Sequence, residues 1–431
     1  MYKSVLVLMV TFCAMNFAFA QKSKKPKQKL IQSPIQELLY TDHNYLNVIK
    51  TVQILPISEQ HHIPIYTLGS ADLIQVSFDD MRGDVRDYYY SIQHCNADWT
   101  PSRLTSLDYA EGFNEGRITS YQSSQGTLQR YTHYSFQFPN DDIKPKIAGN
   151  YLLKIYEDAD KNRLIATKRF YVVRPLISIA EEILPSPQAN QRETHQKINL
   201  SLKTALSILN PAQEIKVLIA QNNRQDVSQW SGKPNYVDNN EFRYHDLDVF
   251  NFKGHNEFRT LDLRSFKSNS AQIDHVYQDS TLHVKLFTDE DFNSNTFQHR
   301  YDENGKFYIR NLDDSHSNIN AENLHVKFSL RSHFNAQNKI YIVGAFNDFQ
   351  EKDSLTYNSS SNLWETSLLM KQGVYNYEYV LRTADGLKTD AISKSHFQTE
   401  NEYQIFVYYR RPGTYWDELI GFKTCSIHSK Q

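Results

Sequence analysis

The chain has 431 residues and a formal net charge of −2, with 47 basic against 49 acidic side chains, which leaves no global electrostatic case for a nucleic-acid partner. A 40% hydrophobic content over this length implies several cores, about two to four domains. Tyr and Phe number 28 and 24 against 14 Gly, a balance that favours strands.

The first twenty residues, MYKSVLVLMVTFCAMNFAFA, place one early lysine (Lys3) before an apolar run and end on Ala18 and Ala20. That pattern predicts a signal peptide over 1–20, cleaved between Ala20 and Gln21, and hence export. The next segment, 21–44, opens with Lys22, Lys24, Lys25, Lys27 and Lys29 among polar residues and reads as a basic, partly disordered arm. No later stretch approaches the roughly 18 uninterrupted apolar residues of a membrane-spanning helix.

Beyond the arm, alternation of apolar and polar residues dominates. Strand-length runs at 72–81, 87–94, 133–138, 149–158 and 165–173, separated by Asp, Asn, Gly and Pro signals, predict one β-sandwich over 45–175. A second series at 195–204, 214–222, 259–266, 281–289 and 305–310 predicts a second β-domain over 176–320. A third, at 323–330, 338–349, 363–370, 373–386 and 403–410, predicts a sandwich over 321–412, with 413–431 as a tail. Closely spaced strands with hardly a helix between them predict an all-β protein of tandem immunoglobulin-like β-sandwiches.

The stretch YYYSIQHCNADWTPS (88–102) raises the one question of reactive chemistry. His94 and Cys95 are neighbours on a predicted strand, so their side chains point to opposite faces and cannot serve one reacting centre. A metal site would need further ligand pairs that HCNAD does not supply. The stretch reads instead as a strand running into a turn at Asn96, Ala97 and Asp98, with Asp98 accepting backbone amides and Trp99 capping the end of the sandwich. Cys95 and Cys425 are expected as free, inert thiols. No phosphate loop, serine elbow or catalytic carboxylate pair stands out, so no enzyme activity, metal or cofactor is expected.

The run 88–140 with AGNYLLKIYED (148–158) closely resembles the N-terminal domain of the type IX secretion system plug proteins of Bacteroidetes. The matching features are His94, Cys95, Asp98, Trp99, Ser102, Leu104, Asp108, Tyr109, Gly112, Phe113, Ile118, Ser124, Thr127, Tyr131, His133, Tyr134, Pro139, Asn140, Gly149, Asn150 and Tyr151. The resemblance implies a monomeric periplasmic protein, held at the outer membrane through its partner, that occludes the periplasmic opening of the outer-membrane β-barrel translocon. His94, Cys95, Asp98, Trp99, Ser102, Tyr109, Gly112, Phe113, His133 and Tyr134 are then expected as structural or partner-contacting residues, none of them catalytic. The segment YIVGAFNDF…LWETSLLMKQGVYNYEYV (341–380) resembles early-set immunoglobulin-like modules related to glycogen-binding modules, with Phe349 where the sugar-binding version carries a platform tryptophan. A carbohydrate-binding β-sandwich protein is the alternative function.

Overall fold

The computed structural model describes residues 37–57, 63–231, 233–238, 240–266, 271–314, 316–386 and 388–427. The expected cleavage site at Ala20 and Gln21 and the lysines from Lys22 to Lys29 lie outside them. The described chain is all-β, with three α-helices of four residues each and one 3-10 turn at Ala345–Asn347.

Two sheets make the first sandwich. One runs His43–Asn44, Leu164–Val173, Gly149–Glu157, Tyr88–Cys95, Gly116–Ile118; the other runs Ile49–Pro56, Ile74–Asp80, Thr132–Phe138, Ser120–Ser123. Alternation sends Ile74, Val76 and Phe78 from one sheet and Tyr88, Tyr90, Tyr151 and Phe170 from the other into a shared core, as period-two burial requires. The end of the predicted arm is not loose: Asp42 Oδ1 accepts the Arg169 amide at 2.6 Å, Thr41 O accepts the Thr167 hydroxyl at 2.8 Å, and His43–Asn44 pairs with Ala166 and Thr167.

Strand pairing divides the rest of the chain differently from the sequence-based boundaries. The strand at Glu402–Tyr409, expected in the third domain, pairs antiparallel with Ile215–Gln221. Glu418–Ser426, expected as tail, pairs with Glu402–Tyr409 in turn. These strands and Arg224–Ser231 form one sheet of the second sandwich; Ile177–Pro185, His195–Thr204, Glu241–Tyr244 and Tyr236–Asp238 form the other. Conversely, Arg259–Asp262 and Phe307–Ile309 pair with Gly373–Arg382, and Leu282–Leu286 pairs with Asn323–Arg331, so strands expected in the second domain belong to the third. The third sandwich is thus inserted into the second. Alternation specifies a strand and its buried face but not its partner, and an insertion depends on long-range pairing alone.

Candidate functional site at the joints between sandwiches

The stretch singled out in the sequence folds as the strand Tyr88–Cys95 followed by a tight turn in which Asn96 O accepts the Trp99 amide at 2.9 Å. The two neighbours do face opposite ways. His94 packs inward against Tyr151, ring centroids 5.1 Å apart, with Nε2 3.4 Å from the Ala148 carbonyl oxygen. Burial lowers its pKa to about 4, so the ring is neutral at physiological pH. Gly149 makes room for it: a Cβ there would lie 2.2 Å from His94 Nε2. Cys95 faces outward into a second apolar cluster, where burial pushes its thiol up to about 12. Cys425 is likewise buried and free, its thiol also pushed up to about 12 by burial. These groups form no nucleophile and base pair.

Cys95 and Trp99 open the first joint. Together with Leu152, Tyr171 and Val173 they pack against Leu218, Ala220, Phe406, Tyr408 and Leu419 of the second sandwich. Trp99, expected to cap the end of the sandwich, lies where that end packs on the second sandwich; it is 5% exposed, held in a left-handed conformation at φ 66°, with the Arg169 guanidinium 4.3 Å over its ring. Asp98 plays its expected part, accepting the Thr100 amide at 3.1 Å and the Thr100 hydroxyl at 2.6 Å. Asn150 donates to the Asn96 and Ala97 carbonyls and accepts the Tyr408 hydroxyl at 2.9 Å. Asp417 completes the joint by accepting the Ala97 amide at 3.1 Å while holding Arg410 through two nitrogens.

A second joint ties the first sandwich to the third. Lys371 and Asp79, 2% and 0% exposed, meet at 2.8 Å, and His133 Nδ1 lies 2.8 Å from the other Asp79 oxygen. Lys371 also donates to the Asn318 carbonyl at 2.8 Å and sits 4.1 Å over the Tyr131 ring. The Tyr131 hydroxyl donates to the Ala321 carbonyl at 2.9 Å. Burial alone would raise the Asp79 carboxyl, but Lys371 and His133 hold it below its ordinary range.

All three sandwiches meet at a cavity of about 370 Å³ lined by Lys168, Arg224, Phe307 and Phe349 among others. Lys168 Nζ pairs with Asp348 at 2.6 Å, and the Arg224 guanidinium lies 4.6 Å over the Phe349 ring while pairing with Glu378 and Asp226. Asp348 and Phe349 both take left-handed φ, 56° and 53°, an uncommon state for a bulky residue. Phe349, expected in place of a platform tryptophan, thus has the chain's own arginine over its ring. Trp364 is buried and donates to the Phe334 carbonyl at 3.2 Å.

The remaining family-motif residues build the turn beyond Trp99. The Ser102 hydroxyl and amide both donate to the His94 carbonyl at 3.1 Å, and the Tyr109 hydroxyl donates to the Ile92 carbonyl at 3.2 Å. Gly112, at φ 92°, lies so close to Asp142 that a Cβ would fall 2.1 Å from its carbonyl oxygen. Tyr134 stacks on Phe78 at 5.1 Å. Of the aromatic motif residues Trp99, Tyr109, Phe113 and Tyr134, Phe113 alone is exposed. Asp79, Lys371, Arg224 and Asp417 escaped the sequence analysis; the one available signal was Lys371 interrupting an apolar run, LLMK.

Residues 49–174 match the family model described as type 9 secretion system plug protein 1st domain. They form a plug protein first domain. That membership ties the chain to type 9 secretion and to the cell envelope. A crystal structure of a hypothetical protein from Parabacteroides merdae is similar over 90% of this chain and 100% of its own, at 29% identity and a TM-score of 0.86, so the same three-sandwich fold recurs in that protein. A partial N-terminal region of enterococcal surface protein, at 7% identity and a TM-score of 0.17, carries no argument. No curated protein matches the chain. Among the described residues, no group of three or more His, Cys, Asp and Glu is placed to hold a metal ion, and no helix is long and apolar enough to cross a membrane. In the plug first domain, the motif residues Cys95, Trp99, Asn150 and Tyr131 help fasten it to the other sandwiches, and His133 holds the Asp79 that meets Lys371.

Proposed function

We propose that this protein is a non-enzymatic periplasmic plug that binds the outer-membrane barrel of the type 9 secretion system and occludes its periplasmic opening. The match of residues 49–174 to the plug first domain carries this reading. The joints support it mechanically. A pore wide enough for folded cargo leaks small solutes unless something stiff fills its mouth, and sandwiches hinged on flexible linkers would yield. Here the first sandwich is fixed to its neighbours by an apolar cluster and by a buried lysine, aspartate and histidine, contacts that resist relative motion of packed bodies. The Arg224 guanidinium over the Phe349 ring and the burial of Trp364 disfavour sugar stacking at either position.

The test compares uptake of a bulky dye by cells that contain the barrel, with and without this protein, together with co-purification of the barrel from detergent-solubilised outer membrane. Higher uptake in the deletion strain and recovery of the barrel with the tagged full chain are expected. Equal exclusion by both strains with no barrel recovered refutes the plug.

A further inference from the structure

Within the plug first domain, exposed large apolar side chains are unevenly placed. Leu107 at 76% and Phe113 at 68% are the two most exposed large apolar side chains among the described residues of 49–174. They are only six residues apart in sequence, which bounds their separation at about 20 Å. Phe113 is moreover the one motif aromatic whose ring is left exposed.

The turn that carries them is stiff. The Thr105 amide and hydroxyl both donate to Asp108 Oδ2, at 2.7 and 2.8 Å, and Ala110–Gly112 pairs with Ile143–Pro145. The Phe113 amide donates to the Asp142 carbonyl at 2.6 Å, and Lys146 Nζ donates to the Leu107 carbonyl at 2.9 Å. Two apolar side chains held in water on a braced backbone lose little entropy when they bind, which is how interface anchors are built. The charges around them decide the partner. Over 104–113 and 141–146 the side chains Asp108, Glu111, Asp141 and Asp142 stand against Lys144 and Lys146, a local excess of two negative charges. A second copy would bring the same excess and be repelled; a partner rimmed with Lys or Arg would be attracted.

Resting on the plug reading, we propose that this turn is the docking surface, with Leu107 and Phe113 entering an apolar recess, rimmed by basic side chains, at the periplasmic mouth of the barrel. Both side chains are exposed, so removing them leaves the fold intact.

The experiment is co-purification of the barrel with the tagged full chain carrying Leu107→Ser and Phe113→Ser. Recovery should fall at least tenfold with an unchanged melting temperature. Glu111→Lys with Asp141→Lys should lower it severalfold. Leu209→Ser with Tyr301→Ser, equally exposed residues on the other sandwiches, should not change it. Undiminished recovery with the Leu107/Phe113 variant overturns this surface and leaves the plug standing. A wild-type dimer that the same variant converts to monomer in sedimentation assigns the surface to self-association and overturns the proposal. Failure of the wild-type chain to recover the barrel overturns the plug reading and this surface with it.

Discussion

Replacing Lys371 with methionine tests whether the buried charges between the first and third sandwiches hold the body together. The substitution keeps the length and apolar stem of the side chain but removes the ammonium that reaches Asp79 at 2.8 Å, the Asn318 carbonyl at 2.8 Å and the Tyr131 ring at 4.1 Å. Asp79 stays fully buried and keeps only His133. Stranding one member of a buried pair costs about 3–5 kcal/mol, whereas replacing both members by apolar groups is close to neutral. Lys371→Met should therefore lose about 3–5 kcal/mol in urea unfolding, and Asp79→Leu with Lys371→Met should recover most of that, a coupling of about 2 kcal/mol or more. Hydrogen exchange should locate the loss, with amides of Thr132–Phe138 and Leu363–Lys371 exchanging faster in the single variant. Because the native carboxyl of Asp79 lies below its ordinary range, its contribution is present above the unfolded pKa of about 3.9 and lost as pH falls through the native value. A loss under about 1 kcal/mol for Lys371→Met, or strictly additive single and double variants, would refute the reasoning.

Trp99→Ala should destabilise the chain by about 3–5 kcal/mol, since the ring fills the joint between the first and second sandwiches; an unchanged melting temperature would remove it from the interior. Gly149→Ala should cost about 1–3 kcal/mol or more, because its Cβ meets His94 Nε2, and adding His94→Ala should return part of that loss in the same melt. Burial, then neighbouring Asp302, push the Glu257 carboxyl up to about 8, while burial lowers His94 and His255 to about 4. The histidine contributions are present above their unfolded pKa and lost as pH falls; the Glu257 contribution is lost as pH rises through about 8. From these three groups stability should thus peak near pH 6.5 and fall by about 1 kcal/mol by pH 8, a decline that Glu257→Gln should flatten in melts across that range.

The strands were legible because period-two burial writes itself into the sequence: Ile74, Val76 and Phe78 can be read inward from their spacing alone. The opposed faces of His94 and Cys95, and the part played by Asp98, followed from the same rule and from local turn chemistry. Ile177–Pro185 is absent from the predicted strands although its burial alternates, since two glutamates and a proline at either side weaken its strand signal in the sequence. The joints were not legible. Lys371 and Asp79 are 292 positions apart, and nothing local distinguishes a carboxylate that will be buried from the many that will not. Trp99 was recognised as important but assigned to an end of its own sandwich, since the residues it packs on, Phe406 and Leu419 among them, come from strands whose partner could not be read.

The insertion of the third sandwich into the second has a consequence for the order of assembly. The strand at Glu402–Tyr409 must find Ile215–Gln221 across the whole inserted body, a costly closure for an unfolded chain. Once the insert has folded, its two ends lie side by side, with the His396 amide on the His255 carbonyl at 2.8 Å and Asn401 Nδ2 on the Gly254 carbonyl at 2.6 Å. Each halving of the open loop lowers the closure cost by about 0.6 kcal/mol, so the insert acts as a clamp that delivers the closing strands to their sheet. The second sandwich, and with it the seat for Trp99, is completed last. Until those strands are in place, the second sandwich lacks the sheet on which Trp99 rests.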